Sequence, residues 1–175
     1  MTLRTAEPDD LAEIMRLERA TFPTDAWSEP MIRDEIASPH GRYVVDVEAG
    51  QIRGFGGVRA VAGAADADIQ TIAIAEEARG RGRGRRLLHE LLATALARGA
   101  RTVFLEVRDD NPNATKLYAS EGFTEIGRRP RYYQPDDVDA IVMKLDLRGW
   151  AAARAEATTG GFAAPTSPPG GQGRG

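Results

Sequence analysis

The segment from Gln70 to Leu96 constrains the fold most, because it reads as a strand, a glycine-rich turn and an amphipathic helix in direct succession. Gln70-Thr-Ile-Ala-Ile74 has the composition of a strand, and Arg79-Gly-Arg-Gly-Arg-Gly-Arg-Arg86 follows it closely. The helix after the turn carries apolar residues at helical spacing: Leu87, Leu88, Leu91, Leu92, Ala95 and Leu96. Glycines let the backbone approach a ligand closely, and the free N–H groups at a helix start attract an anion. The segment therefore predicts an anion-binding turn.

The other elements mix strands and helices without strict alternation. Helices are predicted after Pro8, after the N-cap Ser28, before the terminating Gly99, and from Ala114 to Glu121. The predicted strands are Leu3–Thr5, Arg42–Glu48, Ile52–Val61, Ile69–Ile74, Thr102–Arg108, Phe123–Arg128 and Ala140–Leu147, with a hairpin at Ala49-Gly50. This order predicts a single α/β domain over residues 1–150, with a mixed, mostly antiparallel twisted sheet flanked by helices.

The composition changes near Trp150. Residues 151–175 consist mainly of Ala, Gly, Pro, Ser and Thr, with Phe162 as an isolated aromatic residue. A segment of this kind buries too little apolar surface to offset the entropy lost on ordering. We therefore expect a low-complexity, disordered C-terminal tail over 151–175.

Composition also excludes several kinds of chemistry. The chain has no cysteine, so any group transfer is direct or uses an oxygen or nitrogen nucleophile. His40 and His89 are distant from each other in sequence, which argues against a metal site, and we assign neither a role. The net charge of −3 does not suit a nucleic-acid-binding protein. No apolar run suggests a membrane span or a signal peptide, so we expect a cytoplasmic protein with no membrane partner.

The arginine–glycine turn fits some phosphate-binding motifs poorly. A P-loop requires Lys and then Ser or Thr after its last glycine, whereas Arg85 and Arg86 follow Gly84. A dinucleotide fingerprint fails too, because its third glycine would fall on arginine or leucine. The arginine side chains themselves suit phosphate groups. A disordered Arg-Gly RNA-binding module is a distant alternative from another functional class.

The turn and the segments after it resemble the GNAT superfamily of N-acetyltransferases. Arg79-Gly-Arg-Gly82-Arg-Gly84 matches the acetyl-CoA loop of that superfamily, Gln/Arg-x-x-Gly-x-Gly/Ala. Val103–Phe123 is similar to the second half of its cofactor site, with Asn-x-x-Ala-x-x-Leu-Tyr-x-x-x-Gly-Phe beginning at Asn111. Phe22-Pro23, Trp27-Ser28, Glu106 and Arg131-Tyr132-Tyr133 look more narrowly like the RimI group, which acetylates the N-terminal alanine of a small-subunit ribosomal protein.

The resemblance implies a role for each matching position. It implies Glu106 as general base and Tyr118 as general acid. It implies acetyl-CoA contacts at Ile72, Ala73, Ile74, Gly80, Arg81, Gly82, Arg83, Gly84, Arg85 and Asn111. Trp27, Tyr132 and Tyr133 are candidate substrate-binding residues on the acceptor side, and no metal is implied.

The bare residue types leave other interpretations open. Glu106 could lie on the solvent face of its strand, and Tyr118 could be a core residue whose hydroxyl meets water. Tyr132 and Tyr133 could line an acceptor channel or cap a strand. The acidic cluster Asp136, Asp137 and Asp139 could be a solvated loop or the rim of a site for a cationic peptide.

The predicted function is direct transfer of acetyl from acetyl-CoA to the N-terminal α-amino group of a protein. The N-terminal alanine of a ribosomal protein is the expected acceptor, and no direct contact with nucleic acid is expected. The alternative within the same superfamily is acetylation of internal lysines or of a small amine.

Overall fold

The computed structural model describes residues 2–159, and this part of the chain forms seven strands and five α-helices. The strands are β1 (Thr2–Thr5), β2 (Gly41–Glu48), β3 (Gln51–Arg59), β4 (Asp66–Ile74), β5 (Thr102–Arg108), β6 (Thr124–Tyr133) and β7 (Val138–Asp146). The helices are α1 (Leu11–Thr21), α2 (Glu29–Ala37), α3 (Arg83–Ala97), α4 (Pro112–Glu121) and α5 (Leu147–Thr159).

All seven strands join one sheet in the order β1-β2-β3-β4-β5-β7-β6. Neighbouring strands are antiparallel except β4 and β5, which run parallel. Their pairing is short, because only Asp66–Asp68 of β4 pair with Thr102–Phe104 of β5. The predicted fold class is therefore confirmed, and the sheet opens between its two central parallel strands.

Helices cover both faces of the sheet. Alternate side chains of a strand point to opposite faces, and β2 shows the result. Val44 packs into the core beneath α3, whereas Tyr43 and Val45 pack into a second core beneath α1 and α2. All three residues are almost completely buried, with at most 1% of their surface exposed. The two cores therefore lie on opposite faces of the sheet.

Local sequence signals placed most element ends correctly. The Ser28 hydroxyl accepts a hydrogen bond from the Met31 N–H at 3.4 Å, as its predicted N-cap role requires. Ala49 and Gly50 form the predicted hairpin, with φ of +51° and +73°. Several predicted strand bounds were wrong by two residues or more. The strand predicted to end at Arg128 continues to Tyr133, the strand predicted to end at Val61 ends at Arg59, and the strand predicted to begin at Ile69 begins at Asp66.

The predicted start of the tail was also wrong. Residues 147–159 form α5, so Leu147 begins a helix rather than ending a strand, and residues 151–159 are helical. Alanine has the highest helix propensity, and the helix is anchored by the fully buried Leu147 and by Trp150, whose Nε1–H donates to Glu121 at 3.0 Å. Residues 160–175 of the predicted tail lie outside the described residues.

Candidate active site

Two adjoining cavities occupy the opening between β4 and β5. The smaller is bounded on the α4 side by Asn111 and Tyr118. The larger has a volume of about 990 Å³, and Trp27 and Tyr132 contribute to its wall. Glu106 lines both cavities. The separation of the two strands therefore brings residues that are far apart in the sequence to one continuous cleft.

Glu106 lies in the middle of β5, with its side chain 29% exposed. Its neighbours Leu105 and Val107 point into the α3 core, so the carboxylate points to the other face of the sheet. Its Oε1 atom forms an ion pair with Arg129 Nε at 2.8 Å. Glu106 is thus a partly buried carboxylate in the wall of a cleft, and the solvent-face interpretation does not describe its position.

Tyr118 reaches the cleft from the opposite side of the sheet. It lies in α4, is 9% exposed, and packs edge-to-face against Phe123 with ring centroids 5.7 Å apart. Burial raises the pKa of its phenol to about 12. Tyr118 is therefore both a core residue and part of the wall of the smaller cavity, so the two interpretations are compatible.

The outer half of β4 offers a free backbone edge to the cleft. Ile72, Ala73 and Ile74 pair with β3 on one side, and the pairing of β4 with β5 has ended at Asp68. Unpaired N–H and C=O groups of such an edge can bind an extended ligand as an added strand. This edge leaves room for the acetyl-CoA contacts predicted at the three residues, and those contacts stay a prediction.

The glycine turn that follows leads directly into the start of α3. Gly80 and Gly82 have φ of +78° and +76°, and a Cβ at either position would meet no atom within 4 Å. Gly82 is the N-cap, and no side chain caps the helix there. The N–H groups of the first turn, from Arg83 to Arg85, therefore remain available to an anion.

Most arginine side chains of the turn are bound within the protein, which corrects the expectation that they suit phosphate. Arg79 Nε donates to the Ile74 carbonyl at 3.1 Å. Arg83 is 2% exposed and bonds to two carboxylates, and Arg85 bonds to Ser120 and Glu121. Arg81 remains exposed. The turn is thus suited to bind an anion mainly through backbone N–H groups.

Asn111 is the N-cap of α4. Its Oδ1 accepts a hydrogen bond from the Ala114 N–H at 3.2 Å, and Pro112 occupies the first helical position. The residue also lines the smaller cavity. Capping fixes the side-chain oxygen, so a ligand contact would fall to the amide nitrogen.

The aromatic residues predicted on the acceptor side lie together in the larger cavity. The rings of Tyr132 and Tyr133 meet edge-to-face at 5.1 Å, and both line that cavity with Trp27. Arg129 lies over the Tyr132 ring at 5.6 Å. The site therefore has an aromatic wall beside the Glu106 carboxylate.

Arg108 organises this wall, and no sequence pattern indicates its role. Its guanidinium bonds to Asp25, Asp110 and Asp136 and lies 5.3 Å from the centroid of the Tyr133 ring. Asp136 also accepts a hydrogen bond from the Thr24 hydroxyl at 2.7 Å. The acidic loop is therefore tied to the segment after α1, and Asp136 is not simply solvated as the sequence suggested.

Glu18 is a second residue that sequence reasoning missed. It is fully buried in α1, where its carboxylate accepts hydrogen bonds from the Trp27 N–H at 3.2 Å and from the Thr71 hydroxyl at 2.9 Å. Burial raises the pKa of Glu18. A lone glutamate in an amphipathic helix usually faces solvent, so the sequence offers no sign that Glu18 fixes the backbone at Trp27.

Comparisons with known proteins agree with this geometry. A sequence profile of the acetyltransferase (GNAT) family matches residues 11–123. The chain belongs to this family. It is 40% identical to the N-alpha-acetyltransferase RimI of Mycobacterium tuberculosis over 124 residues, which are 70% of this chain and 77% of that protein.

Solved structures of the GNAT family share the fold. The ribosomal-protein-S18-alanine N-acetyltransferase of Escherichia coli superimposes with a TM-score of 0.73 at 29% identity, over 83% of this chain and 93% of that one. The structure of yncA from Salmonella typhimurium, solved with its cofactor acetyl-CoA, shares the fold with a TM-score of 0.72 at 20% identity, over 84% of this chain and 94% of that one. The predicted RimI-like GNAT resemblance and acyltransferase class are confirmed.

Two kinds of feature, metal-binding clusters and membrane-spanning helices, were absent from the described part of this GNAT chain. Between residues 2 and 159, no cluster of three or more His, Asp or Glu side chains has the arrangement of a metal site. In the same range, no helix is both long enough and apolar enough to cross a membrane.

Proposed function

We propose that the protein transfers acetyl from acetyl-CoA directly to the α-amino group at the N-terminus of a protein. The N-terminal alanine of a small-subunit ribosomal protein is the proposed acceptor. The observation that carries the proposal is the position of Glu106, which lines both the smaller cavity, next to Ile72 of β4 and Tyr118 of α4, and the larger aromatic cavity. A donor and an acceptor that enter from opposite sides would meet at this carboxylate.

The glycine turn and the free edge of β4 suit the donor. Acetyl-CoA carries a pyrophosphate and an extended pantetheine arm, and it supplies an activated acetyl thioester when bound. The free N–H groups at the start of α3 would hold the pyrophosphate, and the unpaired edge of Ile72–Ile74 would hold the arm.

Glu106 and Tyr118 supply the two proton transfers that the reaction requires. The amine attacks only when it is neutral, and an α-amino group has a pKa of about 7.7–8.0 against about 10.4 for lysine. Glu106 would accept the proton of the amine directly or through water as the C–N bond forms. Tyr118, whose pKa of about 12 keeps it protonated, would donate to the sulfur as the C–S bond breaks.

Several facts favour transfer to a protein N-terminus without a covalent enzyme intermediate. The chain has no cysteine that could carry the acetyl group. The RimI relative and the Escherichia coli structure are both N-acetyltransferases, and the latter is described as acting on the alanine of ribosomal protein S18. The larger cavity is open and has an aromatic wall, which suits an extended peptide end.

A competition experiment tests the proposal. The protein is incubated with acetyl-CoA and equal amounts of an alanine-starting peptide, an N-blocked lysine peptide and spermidine, and the products are read by mass spectrometry. We expect acetyl on the α-amino group of the first peptide. A matched peptide that begins with leucine measures the preference for alanine. Acetyl on the lysine peptide or on spermidine alone would contradict the proposal and support the alternative acceptor classes.

A further inference from the structure

We infer that Asp46 in β2 is a positioning residue for the phosphate-binding turn, acting through the side chain of Arg83. The inference rests on the proposed function, because it concerns the same donor site. Asp46 and Arg83 form a buried ion pair, and neither residue lines either cavity.

The ion pair joins the first residue of α3 to β2, the second strand of the sheet. Arg83 NH1 lies 2.9 Å from Asp46 Oδ2, and the two side chains are 2% and 0% exposed. Arg83 NH2 lies 2.6 Å from Glu48 Oε2, whose side chain is 41% exposed. The guanidinium therefore bridges two carboxylates of one strand, directly beneath the start of the helix.

Arg83 occupies a position where an apolar residue would be expected. It begins the row Arg83, Leu87 and Leu91, which is spaced four residues apart and faces the sheet, and the two leucines are fully buried. The pair also leaves Arg83 Nε and Asp46 Oδ1 buried without a hydrogen-bond partner. Buried ion pairs can often be replaced by apolar side chains without loss of stability, so stability alone explains this arrangement poorly.

Orientation of the turn gives a better explanation. Residues 79–82 include Gly80 and Gly82, which have positive φ and carry no side chain that could pack, and open space surrounds the position of a Cβ at either one. Arg83 follows Gly82 directly, and its two bonds fix the first helical turn against β2. Since the anion-binding groups are the N–H groups of that turn, the pair fixes the direction in which they point.

The test compares two acetyl donors. S-acetylpantetheine has the thioester and the pantetheine arm of acetyl-CoA but lacks the pyrophosphate. We expect Arg83→Met to reduce kcat/KM with acetyl-CoA by about 10-fold to 100-fold, as for a displacement of reacting or binding groups by up to an ångström. The kcat/KM of the same variant with S-acetylpantetheine should change little. General loss of structure would lower both values together.

A double variant separates orientation from stability and charge. Arg83→Met alone leaves Asp46 buried and unpaired, which destabilises the fold and repels phosphate. Arg83→Met with Asp46→Leu removes both charges and fills the space with apolar atoms. We expect this double variant to regain thermal stability but not the preference for acetyl-CoA. A double variant with the wild-type preference would overturn the inference.

Arg42→Met is the matched control. Arg42 also joins β2 to α3, through Glu90 at 2.9 Å, but its partner lies near the middle of the helix and away from the turn. Arg42→Met should leave the ratio of kcat/KM with acetyl-CoA to kcat/KM with S-acetylpantetheine unchanged. An equal change of this ratio in Arg42→Met and Arg83→Met would overturn the inference. If the wild type transfers no acetyl at all, the proposed function fails, and calorimetric Kd values for acetyl-CoA in the same variants still decide the inference.

Discussion

At the scale of single residues, the two proposed proton-transfer groups lie on opposite faces of one sheet. Glu106 is on β5 and paired with Arg129, whereas Tyr118 belongs to the core beneath α3. Each reaches the cleft only because β4 and β5 separate beyond Asp68. We therefore expect replacement of Glu106 and replacement of Tyr118 to change the pH dependence of turnover in different ways.

Glu106→Gln keeps the shape of the side chain and removes the proton acceptor. Turnover should fall by about 10²-fold to 10⁴-fold, the usual contribution of a general base. Higher pH should partly restore it, because more of the acceptor amine is then neutral. Steady-state rates between pH 6 and pH 10, with acetyl-CoA affinity as a control for folding, measure this.

Tyr118→Phe is the contrasting variant. Its turnover should also fall, but alkaline pH should give no comparable rescue, because the lost proton goes to the leaving sulfur. The phenol has a pKa of about 12 and stays protonated over the whole range, so Tyr118 itself should cause no alkaline loss of activity in the wild type. Identical pH profiles for the two variants would refute this division of roles.

Gly84→Val tests the backbone cradle, because the acetyl-CoA loop motif has Gly or Ala at this position and no larger residue. A Cβ there would meet only Leu117 Cδ2, at an ordinary contact distance of 3.5 Å, so the fold itself has room for it. Acetyl-CoA affinity should fall at least about tenfold, because the two methyl groups of valine would block the approach of the pyrophosphate. Isothermal titration calorimetry measures the affinity.

Gly50→Ala provides a control for backbone strain in such substitutions. Gly50 has φ of +73° and no neighbour within 4 Å, like Gly82, but lies in the β2–β3 hairpin. Gly82→Ala should lower stability by about the same 1–2 kcal/mol as Gly50→Ala and should lower acetyl-CoA affinity in addition. Unchanged affinity in the Gly82 and Gly84 variants would mean that the turn does not hold the phosphates.

At the scale of elements, α5 is attached to α3 and α4, the two helices of the proposed donor site. Glu121, at the end of α4, accepts hydrogen bonds from Trp150 of α5, from His89 of α3 at 2.8 Å, and from Arg85 in the first turn of α3. Burial opposes its ionisation, but these three donors outweigh that effect and lower the pKa of Glu121 to about 2.

Shortening the chain should separate the helix from the remainder of the predicted tail. A chain that ends at Thr159 should keep the free energy of unfolding and the turnover of the full chain. Trp150→Ala in that shorter chain should cost about 3–5 kcal/mol, as for other buried aromatic residues. Urea denaturation measures the free energies of unfolding, and steady-state assays measure turnover. A large loss of stability on removal of residues 160–175 would show that they pack on the domain.

Glu121 should make stability depend on acid pH. Its folded-state pKa of about 2 is below the ordinary value of 4.5, so its contribution is complete above pH 4.5 and is lost as pH falls toward 2. Glu121→Gln should therefore lower the melting temperature at pH 7, and the difference from the wild type should shrink between pH 4.5 and pH 2. A difference that is constant over this range would contradict the ion-pair role.

At the scale of the whole molecule, the central opening of the sheet is the feature on which the site depends. Five antiparallel pairings hold the two halves of the sheet, and the short parallel pairing of Asp66–Asp68 with Thr102–Phe104 joins them. A ligand that adds to the free edge of β4 would extend this pairing. Binding should therefore be visible in the exchange of backbone amides.

We expect acetyl-CoA to slow hydrogen exchange in two segments, Ile69–Ile74 and the first turn of α3. At 100 times its Kd a ligand stabilises the bound state by about 2.7 kcal/mol, which is about 100-fold in exchange through opening of the site. The hairpin turn at Ala49-Gly50 should be unaffected. Exchange followed by mass spectrometry measures this, and protection confined to other segments would place the donor elsewhere.

The sequence by itself determined features that depend on residues close together in the chain. The period of the leucines, the cap at Ser28 and the positive φ available at Ala49-Gly50 are local, so they predict helices and turns directly. The glycine turn before α3 is likewise local, because strand, turn and helix start lie within one continuous segment. The family resemblance depends on the same short spacings.

Only the tertiary structure decided which distant residues meet and which charges are buried. In the sequence, Arg83 is one of five similar arginines in the turn. In the structure it is the one of these five that is buried and paired with Asp46, which is more than thirty residues away in the chain. The alanines after Trp150 were predicted to begin a tail, whereas the structure places them in α5, which Trp150 attaches to Glu121. Sequence spacing carries no information on burial across the sheet, and burial decides whether a charge binds solvent, a ligand or the protein itself.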